Sequence, residues 1–343
     1  MLDLTGIYRL IDKRVDRESL GDLSWTGSIG QYLSLILENR EVCRTVPQRL
    51  RDMIVSPCTE EPRPGESAPG NVGGSGASSG CLQELAERLR ALSFQSGVVA
   101  RTVLLCGSPE GKGPALVRGL MEGYESYSRT PEGALFSFRW KLAGGDAGGA
   151  LEGGEAVPCP YHEEVLRLVP ETERQKFLSD LKENAPDAPG PSLEGPLCPS
   201  CRSICERLLK KYHGDWARAM EHVEVYRLVP SAERRTALAR VEGTSAGASG
   251  GEGAGLDLGV ELRAGNRGIL DCGDFGFLDG RSLATLAGLA ETDASGSGPF
   301  LSKGLDFLAF GQVKDWESLK LSKDGLDDAF RAHVVEIQLG PGA

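Results

Sequence analysis

Apolar residues recur at helix spacing over residues 28–55. Ile29, Tyr32, Leu33, Ile36 and Leu37 make a first stripe, and Val46, Leu50, Met53 and Ile54 repeat it. A second helical stripe (Leu82, Leu85, Leu89 and Leu92) precedes a short apolar run, Val103 to Leu105, which reads as a strand over 102–106. A glycine-rich turn follows in "CGSPEGKGPALVRGL", and then a helix-compatible segment. Strand, glycine turn and helix in that order are the building unit of doubly wound α/β domains, so the pattern predicts an α/β fold.

Further along, "EEVLRLVPETERQKFLSDL" (163–181) and "VEVYRLVPSAERRTALARV" (223–241) match at an offset of 60 residues. Each copy predicts a short strand, a proline that ends it, and a charged helix with leucines on its inner face. The charged positions Glu173, Arg174, Glu233 and Arg234 are expected on solvated faces, and Trp140 and Trp216 in packing roles. Four glycine- and proline-rich tracts, among them 62–80 and 242–255, lie between the patterned segments. They bury too little apolar surface to order themselves and read as loops or linkers.

Charge narrows the function. The 343 residues carry 38 Lys and Arg against 49 Asp and Glu, a formal net charge of -11, which argues against broad nucleic-acid binding. No apolar run approaches the roughly 18 residues needed to span a bilayer, and the amino terminus lacks a signal-peptide core. The expectation is a cytoplasmic protein without nucleic-acid or membrane partners.

Nine cysteines without a secretion signal favour metal binding over a disulfide framework. "CPYH" sets Cys159 and His162 two residues apart, and "CPSC" does the same for Cys198 and Cys201. Two such knuckles supply the four soft or borderline ligands of a closed, structural Zn²⁺ site, with Cys205 and His213 nearby as spares.

Several blocks together resemble the AAA-type domain of the PrkA serine protein kinase family. They are "GSIGQYLSLILENREVCRTVPQRLRDMIVS", "YSRTPEGALFSFRWKL", "CPYHEEVLRLVP", "LCPSCR", "HGDWARAMEHVEVYRLVPSAER" and "GNRGIL". The resemblance implies an AAA+ P-loop NTPase-like core over 81–343. An N-terminal helical segment over 1–56, a linker over 57–80 and a zinc-knuckle insertion over about 158–205 complete the organisation. It also implies ATP with Mg²⁺ as ligand and a ring of like or related subunits. The family's larger members continue into a kinase-like domain, which is expected to be missing from a chain that stops at Ala343.

Carried over residue by residue, the family's phosphate loop falls on Gly107, Gly111, Lys112 and Gly113. Lys112 is kept, but the loop is one residue short. Gly113 replaces the hydroxyl that should meet Mg²⁺. Glu110 adds a charge where phosphates would lie, and like charges about 4 Å apart repel by about 4 kcal/mol near a surface. Asp271 and Asp274 fall at the acidic strand end, with Gly273 where a further acid often stands. Lys314 falls where the sensor strand calls for Asn. Arg331 is kept, whereas His333 stands in place of an arginine finger, whose loss costs about 10³ to 10⁵ in rate. The triplet Asp274-Phe275-Gly276 imitates a kinase metal motif, but no H-R-D accompanies it. The resulting expectation is an ATP-binding module with impaired hydrolysis, acting as a regulator or scaffold. Its alternative is an active ATP-dependent serine protein kinase or ATPase.

Overall fold

The computed structural model describes residues 20–56, 79–94, 102–107, 112–142, 156–183, 193, 195–241, 258–278, 282–283, 286, 304–317, 319 and 334–339. The chain divides into two compact units, one of Met1–Arg44 with Ser128–Val229, the other of Thr45–Tyr127 with Pro230–Ala343. The division cuts the N-terminal helical segment between residues 44 and 45. It also places both cysteine knuckles in a unit separate from the glycine turn.

The first unit is built on an antiparallel sheet of β1 (Thr26–Gly27), β3 (Leu135–Lys141), β4 (Ala156–Pro158) and β5 (Val223–Leu228), in the order β1-β5-β3-β4. The alternation in "LFSFRWK" puts Phe136, Phe138 and Trp140 on one face, and all three are buried. Trp25 meets Phe136 edge-on at 5.1 Å, Tyr32 lies tilted against it at 5.5 Å, and Phe138 meets Trp140 edge-on at 5.9 Å. Tyr32 comes from α1 (Ile29–Glu38), which opens with a capping box between Ser28 and Gln31. Arg227 of β5 is buried beneath this sheet. Its guanidinium donates to the carbonyls of Leu20, Ser128, Thr130 and Leu135 at 2.7–3.3 Å.

The continuous helical pattern expected over 28–55 is interrupted. The Asn39 side chain accepts from the Glu41 amide and starts a one-turn 3₁₀ segment, Arg40–Cys43. Thr45 and Gln48 then form a second capping box, with Pro47 in the first turn of α2 (Val46–Val55). Leu37, counted in the apolar stripe, is exposed.

The second unit holds five parallel strands. They are β2 (Thr102–Cys106), β6 (Leu238–Arg240), β7 (Ile269–Asp274), β8 (Leu308–Val313) and β9 (Val334–Gln338), ordered β6-β7-β8-β2-β9. β2 and β8 are buried along their whole length, as interior strands of a parallel sheet require. The helices α2, α3 (Ser79–Phe94), α4 (Lys112–Arg129) and α8 (Leu258–Gly265) belong to this unit's sequence. Leu85, Leu89 and Leu92 of α3 are buried as their spacing predicts. From β6 the order steps through β7 to β8, then crosses β2 to reach β9. The sheet therefore reverses its winding at β2, and the carboxyl end of that strand is a topological switch point.

The two matching segments do not share a structure. In the first, Val165–Leu168 is a 3₁₀ turn capped by Glu164, followed by the helix α5 (Glu171–Glu183). In the second, the same positions form strand β5, and a tight turn closed by Ser231 and Thr236 replaces the helix. The local cause is visible: Glu164 bonds forward to the Leu166 amide in one copy, whereas Glu224 faces Arg139 across the sheet in the other. Arg174 also departs from expectation. It is buried, and donates to the carbonyls of Val169 and Gly195 at 3.3 and 3.1 Å. Glu233 and Arg234 are exposed, and Trp140 and Trp216 are buried.

Replacing Arg227 by Leu strips four carbonyls of their donor inside the first unit. The expected loss is about 3 kcal/mol or more, read as a lowered urea midpoint; an unchanged midpoint would show that water satisfies those carbonyls.

Candidate functional site

The cysteine knuckles meet in the first unit. Cys159 leaves β4, its amide bonded to the Phe138 carbonyl, and begins a turn closed by the His162 amide on the Cys159 carbonyl at 3.1 Å. The turn ends with His162 in the left-handed region, at φ 48°. Cys198 caps the helix α6 (Pro199–Lys211). Its sulfur accepts the Cys201 amide at 3.4 Å, and Pro199 fills the first helical position, where no amide is needed.

One ligand atom from each of Cys159, Cys198, Cys201 and Glu163 lies within 4.8 Å of the others, and all four residues are buried. Glu163 ties the knuckles together. Its Oε2 accepts the Cys159 thiol at 3.2 Å, and its Oε1 accepts the Cys198 amide at 2.9 Å. The Glu163 carbonyl is held by the Ser137 hydroxyl at 3.2 Å. Trp140 completes the surround, donating its indole N–H to the Cys201 sulfur at 3.4 Å. Arg167 and Arg174 both bond the Gly195 carbonyl, three residues before Cys198, and so hold the strap that delivers the second knuckle.

Electrostatics match the geometry. Burial lifts the Glu163 carboxyl to about 8, and the neighbouring Cys198 sulfur adds to the rise. Burial likewise pushes the Cys159 thiol well above its usual range. Hydrogen bonds from Cys159 and Cys201 draw Cys198 down to about 3 despite its burial. A thiolate at Cys198 is therefore favoured, and a cation bound there would stabilise it further. Three sulfurs and a carboxylate around one point suit a metal ion that takes soft ligands in a tetrahedral set.

The grouping departs from the one expected by spacing alone. Glu163, not His162, stands among the sulfurs. His162 is the residue before it, with its Nδ1 buried and lacking a hydrogen-bond partner. The spares stay outside the group: Cys205 is buried one turn further along α6, and His213 is exposed. Glu163 carried a signal in the sequence, since an acid directly after a cysteine turn and followed by a buried run has few other partners.

Gly107 lies in the second unit, at the carboxyl end of β2. Gly107 has φ +147° and donates its amide to the Val313 carbonyl at 3.0 Å. A Cβ there would stand 2.9 Å from the Leu339 carbonyl oxygen, so only glycine fits. Gly111 and Glu110 fall outside the described residues, as do Arg331 and His333. Lys112 is exposed at the start of α4, and Gly113 is buried directly behind it. Asp271 is buried in the middle of β7, accepting Arg240 Nε at 2.8 Å and the Gly273 amide at 3.0 Å. Asp274 caps the following turn through the Gly276 amide at 2.7 Å. Both acids are therefore already engaged. Phe275 packs on Gly311, where a Cβ would come within 1.9 Å of its ring, so the D-F-G triplet serves the junction of β7 and β8. Lys314 is exposed past the end of β8; the buried polar side chain on that strand is Gln312, which the sequence comparison passed over.

No protein-family model matches the chain. No solved structure matches it either. Among curated proteins it is similar to the "ATP-dependent protease PrkA" of Bacillus subtilis (strain 168), with 28% identity over 233 residues. The match covers 65% of this chain and 30% of that protein, so the chain spans about a third of the relative's length. The likeness supports a loose relationship to PrkA. No described helix is long and apolar enough to cross a membrane.

Changing Trp140 to Phe keeps the ring packing but removes the N–H bonded to Cys201. Metal retention, measured by competition with a chromophoric chelator, is expected to weaken about 10-fold. Equal retention would mean that this hydrogen bond contributes nothing to the site.

Proposed function

We propose that this chain is a PrkA-like nucleotide-binding module with a structural zinc centre, serving as a regulator or scaffold rather than as an efficient ATPase. The observation that carries the reading is the glycine turn, which closes β2 at the switch point of a parallel sheet, with Lys112 heading the next helix. Helix starts of this kind favour anions through their free amides and aligned dipoles. ATP is also what the relative's name and the family resemblance have in common.

Slow hydrolysis follows from how the remaining groups are used. Gly113 brings no hydroxyl to Mg²⁺, and Arg240 occupies the carboxylate of Asp271. Phosphoryl transfer rests on charge stabilisation and positioning, so groups committed elsewhere leave little to lower the barrier. Assembly into a ring with like or related subunits is part of the same proposal.

In the first unit, Cys159, Cys198 and Cys201 would hold the zinc as thiolates, and Glu163 completes the four in this arrangement. With four protein ligands the ion has no open position for water, so its role is to fasten β3, the Cys159 turn and α6. When bound it supplies a fixed positive charge that offsets the thiolates.

Binding of a fluorescent ATP analogue tests the nucleotide reading. The wild type is expected to bind and Lys112→Ala to bind at least 10-fold more weakly, with turnover far below the 1–100 s⁻¹ typical of kinases. Equal binding by the two would remove the site, and ordinary turnover by the isolated chain would replace this reading with the active enzyme.

A further inference from the structure

Gly113 stands where a phosphate loop normally places Ser or Thr, and the structure shows what fills the space. A Cβ at Gly113 would lie 3.2 Å from each of Cγ, Cδ and Oε1 of Gln312, which is tighter than an ordinary contact. Gln312 is 5% exposed on β8, an otherwise apolar and fully buried strand. Its neighbours in the sheet are Leu105 near the end of β2 and Asp274 at the end of β7. The amide therefore sits between the start of α4 and the acidic strand end. Among the described residues it has no hydrogen-bond partner.

A carboxamide oxygen is a hard, neutral donor of the kind Mg²⁺ accepts, alongside water and phosphate oxygens. We infer that Gln312 supplies, through Oε1, the oxygen that the missing Gly113 side chain would have given to the divalent cation of a bound nucleoside triphosphate. The inference rests on the reading of the glycine turn as a nucleotide site. Gly113 and Gln312 then act as a fitted pair: the glycine makes room, and the glutamine carries the donor in from the next strand. Asp271 already accepts from Arg240 and the Gly273 amide, whereas Asp274 commits only its Oδ1, to the Gly276 amide, and its Oδ2 could join Gln312 on the ion.

The test compares binding of a fluorescent ATP analogue with Mg²⁺ and with EDTA. The wild type is expected to gain about 10-fold in affinity from Mg²⁺. Gln312→Leu should lose that gain and keep its affinity in EDTA, while Gln312→Glu should keep or raise the gain. Retention of the full Mg²⁺ gain by Gln312→Leu would overturn the inference and leave the nucleotide reading standing. A wild type without any Mg²⁺ gain would overturn it equally. A wild type that binds no nucleotide under either condition would overturn both. Matching urea midpoints for the wild type and Gln312→Leu confirm that the comparison is between folded proteins.

Discussion

Three sulfurs and a carboxylate cannot share a dry pocket as anions unless protons or a cation hold them together. That constraint organises the first unit. Each element around the cluster commits a polar group to it: Ser137 and Trp140 from β3, the turn that begins at Cys159, and the capped start of α6. Two arginines, Arg167 and Arg174, are buried to fix one carbonyl of the approaching strap. Burying charged groups is costly unless they are fully bonded, so these residues describe a fold arranged around the cluster. A tetrahedral metal held by the three sulfurs would meet that need with fixed geometry.

The second unit shows a different economy. Its parallel sheet ends β2 in Gly107 at the switch point, and the acids of β7 serve the fold. Asp271 answers Arg240 on the adjacent strand, Asp274 caps a turn, and Phe275 presses on Gly311. Gln312 packs into the space that a side chain at Gly113 would need.

Elements set by local rules were legible in the sequence. The strand at 102–106, the helix carrying Leu85 and Leu89, and the grouping of Cys159 with Cys198 and Cys201 follow from spacing and composition, and the structure has them. The failures share a cause, since each depends on partners far away in the chain. Nothing near Arg174 announces that its guanidinium is needed at Gly195. The matching "RLVP" segments diverge because one lies against a sheet partner and the other against its own capping glutamate. Gln312 was passed over because a single polar residue in an apolar strand has meaning only once Gly113 is seen opposite. Glu163 was missed because ligand spacing drew attention to His162, its neighbour. The break between α1 and α2 was readable in retrospect, from Asn39 and from Thr45 followed by Pro47.

The claim most worth testing is that the thiol cluster is a metal centre. X-ray absorption at the zinc edge, on protein purified without added metal or a His-tag, addresses it directly. The account predicts one zinc per chain with three sulfur neighbours at about 2.3 Å and a single oxygen or nitrogen at about 2.0–2.2 Å. A folded chain that carries no metal, or one in which Cys198 and Cys201 are joined as a disulfide, would contradict it.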